Sequence, residues 1–187
     1  VGDRVQVRDG WIEGDRVLLS VVQAGPEDAA CCPGELATRG WALLADDRLE
    51  VLPPDAETER LSLEAIGEIK WVLREWSWGE SAPMEPEISL VYQDGRLAGS
   101  AGCNNYFGSV QDSGSPGEVK IGPMGSTQMA CPEEIMAAEL RFLEQLGGVK
   151  QYGFMAGQLA LSYQRDGDWG VMLFDAREPD LGQGESE

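Results

Sequence analysis

The stretch Gly122-Pro-Met-Gly-Ser-Thr-Gln-Met-Ala-Cys-Pro-Glu-Glu-Ile-Met-Ala-Ala-Glu-Leu-Arg-Phe-Leu-Glu-Gln-Leu-Gly-Gly148 passes from a loop of small residues into a helix expected over 132–146. Cys131 takes the N-cap place and Pro132 the first helical position, where its missing N–H leaves no bond unmade. Glu133 and Glu134 suit the positive end of the helix dipole, and Gly147-Gly148 ends the helix. At about 100° per residue, Ile135, Met136, Leu140, Phe142, Leu143 and Leu146 share one face. Glu139 falls in the middle of it. A carboxylate on a buried stripe is expensive unless it accepts hydrogen bonds.

On both sides of this helix the chain is cut short by 24 Gly and 10 Pro, which favours strands over further helices. Upstream, Trp71-Val-Leu-Arg-Glu-Trp76, Glu87-Ile-Ser-Leu-Val-Tyr92, Arg96-Leu-Ala-Gly-Ser-Ala101, Tyr106 to Val110 and Glu118 to Ile121 read as a β-meander, with Asp94-Gly95 as one hairpin turn. Downstream, Val149 to Met155, Gln158 to Tyr163 and Trp169 to Phe174 are joined at Ala156-Gly157 and Asp166-Gly167-Asp168. Residues 1–52 form a small β-hairpin element, truncated or packed on the strands downstream of it, with turns expected at Asp9-Gly10 and Asp46-Asp47. Val1 reads as a processed or trimmed start. Residues 53–68 read as a linker and 176–187 as a flexible acidic tail.

The chain has 187 residues, 14 basic against 33 acidic, for a formal net charge of −19. No basic stripe is present to displace counterions from phosphates, so a nucleic-acid partner is not expected. An anionic membrane surface is disfavoured for the same reason. No apolar run approaches the roughly 20 residues of a spanning helix. Histidine is absent, which removes the commonest general base and metal ligand together.

Three pieces stand in a characteristic order: Gly102-Cys-Asn-Asn-Tyr-Phe-Gly108, then Met124 to Pro132, then Glu139 with Phe142, Leu143 and Leu146. With the leading Trp71 strand and the closing strand pair, they resemble the META domain over roughly 69–175. That family includes the bacterial heat-shock protein HslJ. Its motif positions here are Trp71, Gly102, Cys103, Asn104, Asn105, Gly108, Met124, Thr127, Met129, Cys131, Pro132 and Glu139. Gln128 departs from the pattern, since an arginine is usual there. The resemblance implies a mainly antiparallel β-fold, a small barrel or half-barrel with one packed helix. It further implies an extracytoplasmic setting (cell envelope, lipoprotein or secreted), links to stress tolerance, and no enzymatic activity.

Four cysteines permit three full pairings. Cys103 ends a strand and Cys131 caps the helix, so a disulfide would tie the helix to the sheet. Two buried thiols, or a reactive Cys131 at the helix start, are the other readings. Cys31-Cys32 is a vicinal bridge, a pair of free thiols, or bonded elsewhere. No metal site is expected: there is no CxxC pair, and Asp166-Gly167-Asp168 lacks the closing acid of a calcium loop. No cofactor loop or catalytic triad is legible, and Ser100 has no histidine to activate it. Glu139 is expected to accept bonds from Asn104, Thr127 or the Met124–Met129 loop. The competing reading makes it the polar centre of a ligand cavity. Asn104 and Asn105 suit a left-handed turn, while Trp76 and Trp78 share a strand face opposite Trp71 and suit core packing.

The function expected is therefore a non-enzymatic envelope or secreted domain acting on an unknown protein or envelope partner. A carrier of a small apolar ligand in the barrel, or a thiol enzyme, are the alternatives.

Overall fold

The computed structural model describes residues 4–29, 32–53, 58–67 and 69–177. The first sheet is built from β1 (Gln6–Glu13), β2 (Arg16–Gln23), β3 (Glu35–Leu43) and β4 (Leu49–Val51), each antiparallel to the next, with β5 (Glu59–Arg60) also paired to β3. Asp46-Asp47 is a turn as expected. Asp9-Gly10 is not: it lies inside β1, and the hairpin bends at Gly14-Asp15, where Gly14 adopts φ 61°. Both dipeptides carry turn chemistry, and the apolar match of Trp11 and Ile12 to Leu18 and Val17 selects the later one.

The second sheet holds β6 (Lys70–Ser77), the short β7 (Glu80–Ser81), β8 (Ser89–Gln93), β9 (Arg96–Ser100), β10 (Asn105–Asp112), β11 (Val119–Ser126), β12 (Val149–Met155), β13 (Gln158–Arg165) and β14 (Asp168–Arg177). Its order is β11-β10-β9-β8-β6-β14-β13-β12, with β7 added to β6. The sheet curls until its ends nearly meet: a single bridge joins Glu118 to Gln151, and the Tyr152 N–H donates to the Gly117 carbonyl at 2.8 Å. The result is a half-barrel. Asp94-Gly95, Ala156-Gly157 and Asp166-Gly167 all have positive φ at both positions, as two-residue hairpins require.

The helix α1 runs Glu133–Gly147 with Pro132, not Cys131, as its N-cap. Pro132 is extended at ψ 149°, so the helix starts one residue later than the proline pattern suggests. The buried face also differs from the expected one. Glu139, Phe142, Gln145 and Leu146 are buried, whereas Met136 and Leu140 face solvent. Phe142 sits edge-on between Tyr106 at 5.3 Å and Phe174 at 6.5 Å, so the helix plugs the curl of the sheet. Gln145 gives its amide N–H to the Tyr163 hydroxyl at 2.8 Å, which explains a polar residue on that face. Burial pushes the Tyr106 phenol far above its ordinary value, and it likewise raises Tyr152.

Among the described residues the interior is closely packed. A cavity of about 10 Å³ remains, lined by apolar residues such as Leu90, Leu97, Val110 and Leu161. Residues 53–68, expected to link, contribute to this core: Leu63, Ala65 and Ile66 of a 3₁₀ turn (Leu63–Ile66) are buried, and Leu61 beside them. The Ile66 carbonyl accepts the Trp71 indole N–H at 3.1 Å. Trp76 is also buried, with the Arg141 guanidinium 4.7 Å from its ring centroid and bound to Glu80 by both arms. Trp78 does not share this burial; β6 ends at Ser77 after a bulge, leaving Trp78 64% exposed. Of the expected tail, Ala176 and Arg177 belong to β14, and 178–187 lie outside the described residues.

The first sheet covers the free edge of the second. The Gln6 amide oxygen accepts the Phe154 N–H at 2.8 Å, the Val7 carbonyl accepts the Gly157 N–H, and Arg8 lies over the Phe154 ring. An exposed strand edge is a template for unwanted pairing. Removing residues 1–52 is therefore expected to lower Tm by about 5 °C and to produce self-association visible in light scattering. A monomeric truncated chain of unchanged Tm would show that the β12 edge needs no cover.

One carboxylate ties together the described ends of the β2–β3 connection, 24–29 and 32–34. Asp28, almost without side-chain exposure, accepts the N–H groups of Gly25 and Gly34 at 2.8 Å each and pairs with Arg60. The Gly25 N–H, helped by Arg60 and Gly34 and opposed by burial, holds its carboxyl below the ordinary value of 3.8. A lowered carboxyl stabilises the fold above its unfolded pKa and loses that contribution as pH falls through the folded value. Asp28→Asn should lower Tm at neutral pH and shrink the gap to wild type below pH about 3, as melting curves across pH would read. An unchanged gap at all pH values would mean the charge of Asp28 contributes nothing.

Candidate functional site

The sequence motif converges where β9 turns into β10, against the start of α1. Gly102 sits at φ 110°, a backbone state open to glycine, and takes the left-handed place that Asn104 or Asn105 was expected to fill. The turn closes with the Ala101 N–H donating to the Asn104 carbonyl at 2.8 Å. It delivers Asn104 into the interior, 2% exposed.

Asn104 is the hub. Its backbone N–H donates to Glu139 Oε2 at 2.6 Å and its Nδ2 to Glu139 Oε1 at 3.0 Å. Nδ2 also donates to the Met129 carbonyl at 3.2 Å. In return, Asn104 Oδ1 accepts the Thr127 hydroxyl at 2.8 Å and the Met129 N–H at 2.7 Å. Glu139 thus accepts from Asn104 as expected, while Thr127 and the Met129 backbone bind Asn104 instead of the carboxylate. Neighbouring Asn105 continues the pairing: its N–H donates to Thr127 Oγ1 and its carbonyl accepts the Thr127 N–H.

Cys103 and Cys131 are joined by a disulfide with Cα atoms 6.0 Å apart, so the segment that carries Thr127 and Met129 is bolted beside the hub. Pro132 follows at once as the helix cap. Gly108 lies outside the cluster on β10, where a side chain would meet Met124 at 2.8 Å. Trp71 is also remote, buried in the core against Phe154. Met129 is exposed and Met124 half-buried; Gln128 is exposed. Cys32 is disulfide-bonded, and Cys31 lies outside the described residues.

Chemically this is a clamp. Both oxygens of Glu139 are occupied by donors of one residue, and the carboxylate is 6% exposed. A buried acid whose two oxygens are satisfied in this way is held as a structural acceptor. Among the described residues, no three acidic or cysteine side chains cluster as metal ligands would. Sequence reasoning missed Gln6 and Gln145, whose partners lie far along the chain, and Asp28, which joins the nearby Gly25 and Gly34 to the more distant Arg60.

A family model for the META domain matches residues 63–176, more than half of the chain. The chain belongs to the META-domain family. Within the META domain lie the half-barrel, α1, the Asn104–Glu139 clamp and the Cys103–Cys131 bridge, while the first sheet precedes it. No curated protein matches the chain. A solved NMR structure of a protein from Burkholderia xenovorans is similar at 22% identity, covering 68% of this chain and 100% of that one, with a TM-score of 0.49. No described helix is long and apolar enough to cross a membrane.

Proposed function

We propose that this META-domain protein is a non-enzymatic, extracytoplasmic domain that acts through its surface on a protein partner, in support of the cell envelope under stress. The filled half-barrel carries this reading. A drug-sized ligand site takes about 300 Å³ or more, whereas the interior leaves a cavity of about 10 Å³. With the inside occupied, contact chemistry falls to the outside. There, Ile12, Leu49 and Val51 of the first sheet expose most of their apolar surface. The Cys103–Cys131 bridge is compatible with an oxidising compartment.

Two measurements test the reading together. Native mass spectrometry of the protein purified from its own host should find no co-purified lipid; a stoichiometric apolar ligand would instead favour the carrier. Alkylation without reductant should leave the cysteines unmodified. A rapidly labelled cysteine would return the thiol enzyme to consideration.

A further inference from the structure

We infer that the solvent-facing apolar side of the first sheet is a docking site for the apolar stripe of a basic amphipathic helix on a partner protein. The inference rests on the interaction reading above and names the surface and the partner chemistry that serve it. Residues directly opposite one another in an antiparallel pair share a face. Ile12 stands opposite Val17, Val17 opposite Trp41, and Trp41 opposite Val51, so one row crosses β1, β2, β3 and β4. Two residues further along β3, on the same side, Leu43 stands opposite Leu49. The row between them, Glu13, Arg16, Ala42 and Glu50, points the other way.

This end of the sheet is thus sorted into an apolar and a charged side, and the apolar side meets solvent. Ile12 is 77% exposed, Val51 71%, Leu49 60% and Leu43 48%. An antiparallel sheet ordinarily turns such a face onto a core and gives its polar face to water. Here the contacts with the core come from the far end of β2 and β3, through Val22 and Leu36. The apolar row is left over, and a helix laid on a sheet face is one of the few layers that bury such a surface.

Charge decides what fits. Asp15 continues the Leu43–Leu49 row: its carbonyl accepts the Leu43 N–H at 2.7 Å, and its carboxylate forms no ion pair among the described residues. Asp46 and Asp47 in the β3–β4 turn, with Glu13 and Glu50 on the adjoining row, complete an exposed acidic border. The cations beside them are Arg16 and Arg48, and Asp46 already holds Arg48 at 2.6 Å. An apolar face with an acidic border is the complement of a helix whose apolar stripe is flanked by lysine or arginine. The net charge of −19 steers a basic partner inward and opposes a second copy, which would set one acidic border against another. An anionic membrane is opposed in the same way. From Ile12 to Val51 the row spans about 14 Å, within the reach of about three helical turns.

The test uses the whole chain and two acetylated, amidated peptides of about 14 residues. One carries leucine at i, i+3, i+4 and i+7 with lysine on its remaining face, and the other carries glutamate in place of lysine. Affinity is read by anisotropy of the labelled peptide and location by amide shifts in NMR. The lysine peptide should shift Ile12, Val17, Trp41 and Val51, and the glutamate peptide should bind about tenfold more weakly. Ile12→Thr with Val51→Thr keeps every charge and should weaken the lysine peptide about tenfold, which separates docking on this face from attraction to an acidic protein in general. Asp15→Asn should weaken it about threefold. Should the threonine variant melt early, the shift map of the unaltered protein still decides. The inference falls if the lysine peptide shifts other residues or none, if the threonine variant binds as tightly as the unaltered protein, or if the glutamate peptide binds equally well. It falls too if sedimentation shows a dimer of the chain alone that the threonine variant dissolves. Any of these failures, with no co-purified lipid and unlabelled cysteines, would leave the interaction reading standing and remove this face alone.

Discussion

Asn104→Ala will destabilise the protein by about 3–4 kcal/mol, and Tm will fall by about 10 °C. The substitution removes all four side-chain hydrogen bonds of the hub: two donated, to Glu139 and Met129, and two accepted, from Thr127 and Met129. It also leaves Glu139 Oε1 buried with no donor. A carboxylate stripped of a charge-assisted bond inside the fold accounts for most of the loss, because desolvation of the charge then goes uncompensated. Glu139→Leu gives the companion measurement. It removes the charge together with its need for partners, so it should be milder than Asn104→Ala, while the Asn104 N–H and Nδ2 lose their acceptor. Urea melts of both variants would decide. A wild-type midpoint for Asn104→Ala would overturn the clamp as a source of stability.

Loss of the Cys103–Cys131 bridge is the second large effect. The two cysteines are 28 positions apart. Closing a loop of that size stabilises by about 3–4 kcal/mol on the chain-entropy account. Cys103→Ser with Cys131→Ser should therefore lower Tm by about 10 °C, and a reductant should lower it at least as far in the unaltered protein, since it also opens the bond at Cys32. The sum with Asn104→Ala should fall short of additive. The bridge and the clamp both position the segment around Met129, so losing either already frees part of what the other holds. Strict additivity would show that the two act on separate elements.

The parts of this architecture legible in the sequence are those set by local chemistry. Asp94-Gly95, Ala156-Gly157 and Asp166-Gly167 demand positive φ, and each is a hairpin. Glu139 announced itself by sitting on an apolar stripe, and Asn104 by its place in the motif. What failed did so where two local signals competed or where a partner was distant. Asp9-Gly10 and Gly14-Asp15 are equally good turns, and cross-strand apolar pairing chose between them. Met136 and Leu140 looked like core residues by hydrophobicity, but α1 is rotated to place Gln145 against Tyr163. Gln6 meets Phe154 across 148 positions, and no local pattern marks it.

The neighbours of β6 carry a last consequence. This strand pairs with β8, close behind it in sequence, and with β14, where Arg74 meets Asp175 at 2.7 Å across 101 positions. The sheet thus lacks a middle rung until nearly the whole META domain has been synthesised. Contacts of such long range form late and slowly. A nascent chain of this design closes its half-barrel only once β14 has been made, so the wall that α1 and the Cys103–Cys131 bridge lean on is completed among the last steps of folding.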